Sequence, residues 1–425
     1  MNILFQTLGC KVNQYETEAM REALLNLGHT NEKNQPIDAI IINSCTVTAE
    51  SNRKTRQLVR RMRRENPNAI ITLTGCMVQS FPDEAKKLTE ADIVIGNRDI
   101  SKIVDIINNY KNERIFVINE HQNGDLYNTI GLSTFNERTR AFMKIQDGCD
   151  RFCTYCIIPF ARGRVRSRAI DDIKSEAERL AKNGYSEIVL VGINLTSYGK
   201  GENFDLCDAI DAVCEVDGIK RVRLGSLEPD HITDEMLYRF KSQPKFCPQF
   251  HLSLQSGCDE TLKRMNRHYD SAFYEDLVNR IRNTFDNAAI TTDIMVGFAG
   301  ETEDEFKQSL MFAEKIGFAR AHIFAYSRRS GTVAAGLKNQ VSNSDKQTRA
   351  RLMADITKKT ETDFLKNQIG NTYPVLFETQ ENSSAEGYTP NYTRVIIKTE
   401  KVLTGQIRDV LIKSVCDDYC IGELI

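Results

Sequence analysis

The rhythm of apolar and polar positions changes twice along this chain. In the first stretch, short apolar runs at 3–7 (ILFQT), 39–43 (AIIIN), 70–74 (IITLT) and 93–96 (IVIG) are separated by amphipathic segments at 16–26 and 50–65. This alternation predicts a βαβ series that builds a parallel sheet. A polar stretch, 111–140, reads as a connector with a strand or two. From Ala141 a second series begins, with candidate strands FMKIQ, EIVLV, RVRLG, FHLSL, ITTDIMVG and HIFAY separated by helical patterns such as 171–183. Six strand and helix units fall short of the eight of a closed TIM barrel, so a partial (β/α)6 barrel is expected, with its chemistry at the carboxyl ends of the strands. After a charged helical segment at 345–368, the pattern turns at Asn371 to the β-like runs YPVLFET, TRVIIKT and VLTGQIRDVLIKSV, which suit a small β-barrel. The fold class is therefore α/β, in three units expected at 1–115, 135–369 and 370–425. A chain of 425 residues is too long for one core.

Composition narrows the setting. With 41% hydrophobic and 27% charged residues and no apolar run near the ~20 residues of a membrane span, no membrane partner is expected. The opening MNILFQTLGC is too short and too polar for a signal peptide, so a cytoplasmic protein is expected. Twelve cysteines without an export signal argue against a disulfide framework and leave thiols free for metals or chemistry. The net charge of −2 does not exclude a nucleic-acid partner, because binding follows the distribution of charge. Basic residues cluster at Arg53, Lys54, Arg56, Arg60, Arg61, Arg63 and Arg64, at Arg162, Arg164, Arg166 and Arg168, and at Lys263, Arg264 and Arg267.

Two sets of cysteines carry candidate chemistry. Cys149, Cys153 and Cys156 form C-x3-C-x2-C in a loop directly after the first barrel strand, at the mouth of the barrel. Three thiolates can hold a [4Fe–4S] cluster and leave one iron open to a small-molecule chelate. The competing reading is a zinc knuckle lacking a ligand, although structural zinc usually takes four. The second set, Cys10, Cys45 and Cys76, follows three predicted strands: QTLGC, INSCT and TLTGC. Open α/β sheets bind ligands beyond the carboxyl ends of their strands, so these thiols can converge on one site. Gly9 and Gly75 would let the loops wrap a cluster, and buried structural cysteines remain the plain alternative.

The C-x3-C-x2-C loop, with Tyr155 as the aromatic before its third cysteine, resembles the radical-SAM signature. Its pairing with LGCKVNQYE, INSCTVT and TGCMVQ resembles the methylthiotransferase family of radical-SAM enzymes over essentially the whole chain. The resemblance implies two [4Fe–4S] clusters, an auxiliary one on Cys10, Cys45 and Cys76 and a radical-SAM one on Cys149, Cys153 and Cys156. It also implies S-adenosylmethionine (SAM) as cofactor and a C-terminal RNA-binding barrel called TRAM. Lys11-Val12-Asn13 after Cys10 resembles the branch that acts on threonylcarbamoyladenosine. The isopentenyladenosine branch usually has Gln-Met-Asn there, and the ribosomal-protein branch Pro-Lys-Asn. GYTPNYTRV and IQDGCDRFCTYCIIPFARGRVRSR resemble the same threonylcarbamoyladenosine branch.

The activity so implied is SAM-dependent radical methylthiolation of C2 of N6-threonylcarbamoyladenosine at tRNA position 37. One SAM would methylate a sulfur carried on the auxiliary cluster, and another would supply the 5′-deoxyadenosyl radical that takes hydrogen from C2. Both clusters must then lie near one base, across an interdomain cleft. Implied partners are the tRNA anticodon stem-loop and an electron donor such as flavodoxin or ferredoxin, acting on a monomer. Alternatives are isopentenyladenosine or a ribosomal-protein aspartate as substrate, and, outside catalysis, an RNA-binding module whose cysteines hold zinc.

Other residues carry weaker signals. Asn194, Glu228, Gln255 and Gly297 end or follow barrel strands and, with Tyr155, are candidates for SAM contact, though ordinary strand-to-helix turns look the same. Arg53, Arg56, Arg60, Arg64, Arg162 and Arg166 are candidates for phosphate contact, against the plain reading of a solvated helix face. Arg162 or Arg166 could equally meet the substrate's carboxylate or SAM. Tyr388 and Tyr392 could stack on loop bases or pack within the small barrel. Cys207, Cys214, Cys247, Cys258, Cys416 and Cys420 read as structural.

Overall fold

In the computed structural model, which describes residues 1–128, 130–135 and 139–425, the first apolar runs form one parallel sheet. Its strands β1 (Ile3–Thr7), β2 (Ala39–Ser44), β3 (Ile70–Gly75), β4 (Ile93–Ile95) and β5 (Ile115–Val117) lie side by side in chain order. The strand that the connector was expected to hold is β5, at the sheet's edge. Part of that connector, at 129 and 136–138, lies outside the described residues.

Register decides where the cysteines emerge. Thr7 pairs with Asn43, and Asn43 with Thr74, so β1, β2 and β3 end level and release their cysteines at one edge. Both faces of the sheet are covered. Helix α1 (Lys11–Asn26) packs Met20 and Leu24 with Ile3, Phe5 and Ile41. Helix α2 (Ala49–Glu65) packs Leu58, Val59 and Met62 with Ile40, Ile42, Ile71 and Leu73. Double coverage explains why every residue of β2 is buried and why it reads as an unbroken apolar run.

The second series begins with β6 (Arg140–Lys144), followed by a two-residue ladder of β7 (Gln146–Asp147) with β8 (Arg166–Ser167). Strands β9 (Glu187–Val191) and β10 (Arg221–Leu224) join β6 in one parallel sheet. Strands β11 (Ser226–Leu227), β12 (Gln249–Leu252), β13 (Ala289–Val296) and β14 (Arg320–Ala325) form another. Only Gly225 separates β10 from β11, and its N–H donates to Leu190 O at 2.8 Å, so the two sheets are one curved wall of six strand positions. Among the described residues no ladder joins β6 to β14, which makes the barrel partial. Outward residues such as Ala141, Met143, Ile188, Leu190, Val222 and Ile294 pack under the helices. Inward ones include Arg140, Lys144, Arg223 and Asp293.

The C-terminal strands β15 (Thr372–Glu381), β16 (Ser384–Tyr388), β17 (Arg394–Lys398), β18 (Ile407–Cys416) and β19 (Tyr419–Leu424) close into a barrel in the order β15-β16-β17-β19-β18. Its loop 389–393 docks on the amino ends of the central strands. Arg223 donates to Pro390 O at 2.8 Å, Arg221 to Tyr388 O at 3.0 Å, and Asn391 to Asn287 O at 3.0 Å. Tyr388 and Tyr392 stack on each other with centroids 4.8 Å apart, and Arg140 lies about 5 Å from both rings. Packing therefore takes up the rings that were candidates for base stacking. All twelve cysteines are free thiols, and of the six read as structural only Cys416 is exposed.

Arg223, 1% exposed and paired with buried Glu187 at 2.8 Å, is one of several ties between the two barrels, beside Arg221, Asn391 and the Arg140–Glu378 ion pair. Breaking a buried pair from one side costs about 3–5 kcal/mol. Arg223→Ala should lower the thermal unfolding midpoint and speed amide exchange across 389–393; an unchanged midpoint with unchanged exchange would show that the docking is held elsewhere.

Candidate active site

Cys10, Cys45 and Cys76 converge beyond the level ends of β1, β2 and β3. Gly9 makes this possible: its φ is +115°, and a Cβ there would lie 3.0 Å from Cys45 Cβ and 3.2 Å from Cys45 Sγ. Gly75, at φ +100°, passes so close to Ser44 that a Cβ would sit 2.4 Å from its backbone. Asn13 Oδ1 lies 3.9 Å from both Cys10 Sγ and Cys76 Sγ, placing those two thiols around one side chain. The thiols also face helix N-termini. Cys10 is the N-cap residue of α1, and Cys76 opens α3 (Cys76–Ser80). Aligned N–H groups favour negative charge at such ends.

The second trio lies on the loop after β7. Cys149 N–H donates to Gly163 O at 3.0 Å and Cys156 N–H to Cys153 O at 2.9 Å, which folds the loop tightly. Donors point at its sulfurs: Arg267 Nη1 lies 3.2 Å from Cys153 Sγ, and Asn194 Nδ2 lies 3.8 Å from Cys149 Sγ. Burial pushes the thiols up, Cys149 to about 11 and Cys156 to about 12, with neighbouring Cys153 adding to both. In the first trio burial likewise takes Cys76 to about 11 against the pull of Arg162.

A buried charge cluster joins the two halves. Lys144 Nζ meets Glu16 at 2.8 Å and Asp147 at 2.6 Å. Arg162 pairs with Glu16, lies 3.5 Å from Asp147, and donates through Nε to Cys76 Sγ at 3.2 Å. Burial alone would raise Glu16 and Asp147, yet Arg162 and Lys144 hold both carboxyls below the usual range. Arg162, a candidate for RNA contact in the sequence, is corrected here: at 1% exposure it meets no solvent phosphate and instead reaches from the short helix Ile158–Arg162, after the cysteine loop, to the other trio. Arg166 lies beside it, 3.5 Å from Asp147 and bonded to the carbonyls of Arg162 and Arg164.

A cavity of about 210 Å3 lies where the two halves meet, lined from the first domain by Val47 and Thr48, two and three residues after Cys45, and from the barrel by Tyr155, Cys156, Gln255, Asp293, Met295 and Tyr326. Of the SAM candidates, Tyr155 and Gln255 line it directly, and Gln255 holds φ +66°. Asn194 reaches Cys149, and Glu228 pairs with Arg267 beside Cys153. Burial raises the Glu228 carboxyl, opposed by Arg267 and Arg151. Gly297 does something else: its N–H is held by Glu301 at 3.0 Å, and a Cβ there would meet Lys346 at 2.3 Å. Along α2, Arg53, Arg56 and Arg60 pair with Glu50, Glu84 and Glu90, whereas Arg64 and Lys54 have no ion pair among the described residues. These two line a groove of about 630 Å3 that passes Gln6 and Leu8 below the Cys10 loop. Another groove of about 630 Å3, between Arg21 and Glu378, touches neither trio. Sequence reading assigned no role to Glu16 or Asp147, although the motifs LGCKVNQYE and IQDGC hold them, nor to Lys144 or Arg329, which carry no spacing motif.

Residues 143–313 match the family model described as the Radical SAM superfamily, and residues 2–96 that of the uncharacterized protein family UPF0004. The threonylcarbamoyladenosine tRNA methylthiotransferase MtaB of Bacillus subtilis (strain 168) is 38% identical, over 100% of this chain and 96% of its own. The chain belongs to the methylthiotransferase family of radical-SAM enzymes. The tRNA-2-methylthio-N(6)-dimethylallyladenosine synthase of Clostridium perfringens (strain SM101 / Type A) is 34% identical over 99% of this chain and 96% of its own. A solved structure of the radical S-adenosylmethionine methyltransferase TsrM from Kitasatospora setae is similar in fold, with a TM-score of 0.56 over 79% of this chain and 74% of that one, at 12% identity.

As a member of this family the methylthiotransferase is an enzyme that works with SAM and a [4Fe–4S] cluster, which sets aside the non-catalytic zinc reading. The donor set fits such a cluster: three soft thiols in each trio, with N–H donors aimed at sulfur. Among the described residues no three His, Cys, Asp or Glu side chains gather around a single ion. A cubane spreads its ligands over several irons and needs a wider trio than one ion does.

Metal displaces thiol protons, so loading should invert the reactivity of these residues. In iron-free enzyme, iodoacetamide labelling of Cys76, Cys149 and Cys156, mapped by peptide mass spectrometry, should be slow at pH 7.5 and rise steeply towards pH 10 and beyond, because burial keeps the thiols protonated until about 11 to 12. Fast labelling at neutral pH would contradict the buried environment described.

Proposed function

We propose that this enzyme converts N6-threonylcarbamoyladenosine at tRNA position 37 to its 2-methylthio form. The observation that carries the reading is the shared cavity, where Val47 and Thr48, just beyond Cys45, face Cys156. Full-length similarity to methylthiotransferases supports it, with a higher identity to the threonylcarbamoyladenosine enzyme than to the dimethylallyladenosine enzyme. In this reading Cys149, Cys153 and Cys156 hold the cluster that binds SAM, and Cys10, Cys45 and Cys76 hold a second. When bound, the groups supply a carbon-centred radical for hydrogen abstraction and the sulfur for insertion.

The chain's own residues orient and shield. Tyr155, Asn194, Glu228 and Gln255 surround the SAM side, with Arg267 bracing Glu228 and Cys153. Met295 and Tyr326 give the cavity walls that exclude water around a base. Its small volume suits an extruded nucleobase and not a whole loop, as in other enzymes that act on a base edge. Arg64 and Lys54 are free to meet phosphates along the groove below the Cys10 loop. We place the working units at 1–115, 135–369 and 370–425, the last a TRAM barrel, in a monomer served by flavodoxin or ferredoxin. No helix among the described residues is long and apolar enough to cross a membrane.

Nucleoside mass spectrometry of tRNA from a deletion strain tests the activity. The 2-methylthio nucleoside should vanish, with threonylcarbamoyladenosine accumulating in its place, and return with the wild-type gene but not with Cys10→Ala or Cys153→Ala. Loss of the isopentenyladenosine derivative instead would assign the chain to the sister reaction.

A further inference from the structure

Among the described residues, Arg329 is a buried cation without an anion. It stands in the loop that follows β14 and is 5% exposed. Its Nη2 donates to Thr46 Oγ1 at 2.8 Å, and its guanidinium carbon lies 4.8 Å from the centre of the Phe81 ring. Its Nε is buried and meets no acceptor. Glu84, the carboxylate whose field it feels most, is committed to Arg56 at 3.1 Å. The other deeply buried arginines around the site are different: Arg162 has Glu16, Arg168 has Glu176, Arg223 has Glu187 and Arg267 has Glu228. Desolvating a guanidinium costs several kcal/mol, which one hydroxyl and one ring offset only in part.

Its position says what would complete it. Thr46 follows Cys45, and the next residues, Val47 and Thr48, line the shared cavity. From the other side Ser327 lines the same cavity and accepts from Ala49 N at 3.1 Å. Arg329 thus sits on the seam between the two halves, beside the space assigned to the target base. A guanidinium fork matches two oxygens of a carboxylate or a phosphate.

We infer that Arg329 receives an oxyanion of the RNA substrate, either the carboxylate of the threonylcarbamoyl group or the phosphate beside the target nucleotide. This deepens the proposed function and rests on it. The role is to hold and orient the substrate, so its loss should raise KM and weaken binding while the cluster loops stay intact. The competing role is to balance the charge of a cluster on Cys45 and its partners.

The experiment compares wild type, Arg329→Gln and Arg329→Lys, each reconstituted with iron and sulfide. The probes are an anticodon stem-loop carrying threonylcarbamoyladenosine and the same RNA with that carboxylate converted to its methyl ester. Binding by fluorescence anisotropy, KM and kcat, iron content and SAM cleavage without RNA are read together. Arg329→Gln should bind the parent RNA roughly 10- to 100-fold more weakly, as expected for a lost charged hydrogen bond, with iron content and SAM cleavage unchanged. Arg329→Lys should fall between. If wild type is equally weak on the ester and the substitution adds nothing there, the carboxylate is the ligand; if the substitution weakens both RNAs alike, it is the phosphate. Wild-type binding of both RNAs by Arg329→Gln overturns the inference, and a shifted auxiliary-cluster potential in that variant would assign the charge-balancing role. Failure of wild type to convert the parent RNA would instead sink the functional reading.

Discussion

The buried contact among Glu16, Lys144, Asp147 and Arg162 is the constraint on which the rest of the structure depends. One of these charges, Glu16 on α1, comes from the sheet domain and three come from the barrel, with Asp147 two residues before Cys149 and Arg162 Nε 3.2 Å from Cys76 Sγ. Removed from water, such charges are tolerable only when each finds its partner in good geometry, and breaking one side costs about 3–5 kcal/mol. The sheet domain and the barrel therefore have one favourable relative placement, and in it Val47 and Thr48 face Cys156 across a small cavity. Chemistry that must bring two reactive centres to one atom requires this kind of fixed approach.

Each trio is prepared by local backbone before any ligand arrives. Level strand ends, two glycines at positive φ and the N-termini of α1 and α3 gather Cys10, Cys45 and Cys76 from positions far apart in sequence. A compact loop does the same for Cys149, Cys153 and Cys156 within eight positions. Burial leaves the thiols protonated without metal, so cluster loading must release protons and draws its driving force from thiolate affinity.

Much of this was legible in the sequence, for identifiable reasons. Strands buried on both faces, such as β2, carry continuous apolar runs, and β9 fell where EIVLV placed it. The strands β16 and β19 were not legible: SAEGY holds few apolar residues, YCIGEL is short and interrupted by Gly and Glu, and both gain their place from barrel closure. The cysteine sets could be read from motif and from repeated placement after strands. The partners of Arg162 could not: a lone Arg beside a cysteine loop looks like a surface cation until the opposing domain covers it. Likewise the sequence left Tyr388 and Tyr392 between base stacking and barrel packing, and Arg140 beside both rings favours packing.

The proposed activity needs two independent clusters, one on each thiol trio. Iron and acid-labile sulfide per chain, measured after anaerobic reconstitution of wild type and of the two triple cysteine-to-alanine variants, test it most directly. The account predicts about eight irons in wild type and about four in each variant. Loss of all iron when only Cys10, Cys45 and Cys76 are replaced, or about four irons in wild type itself, would contradict it.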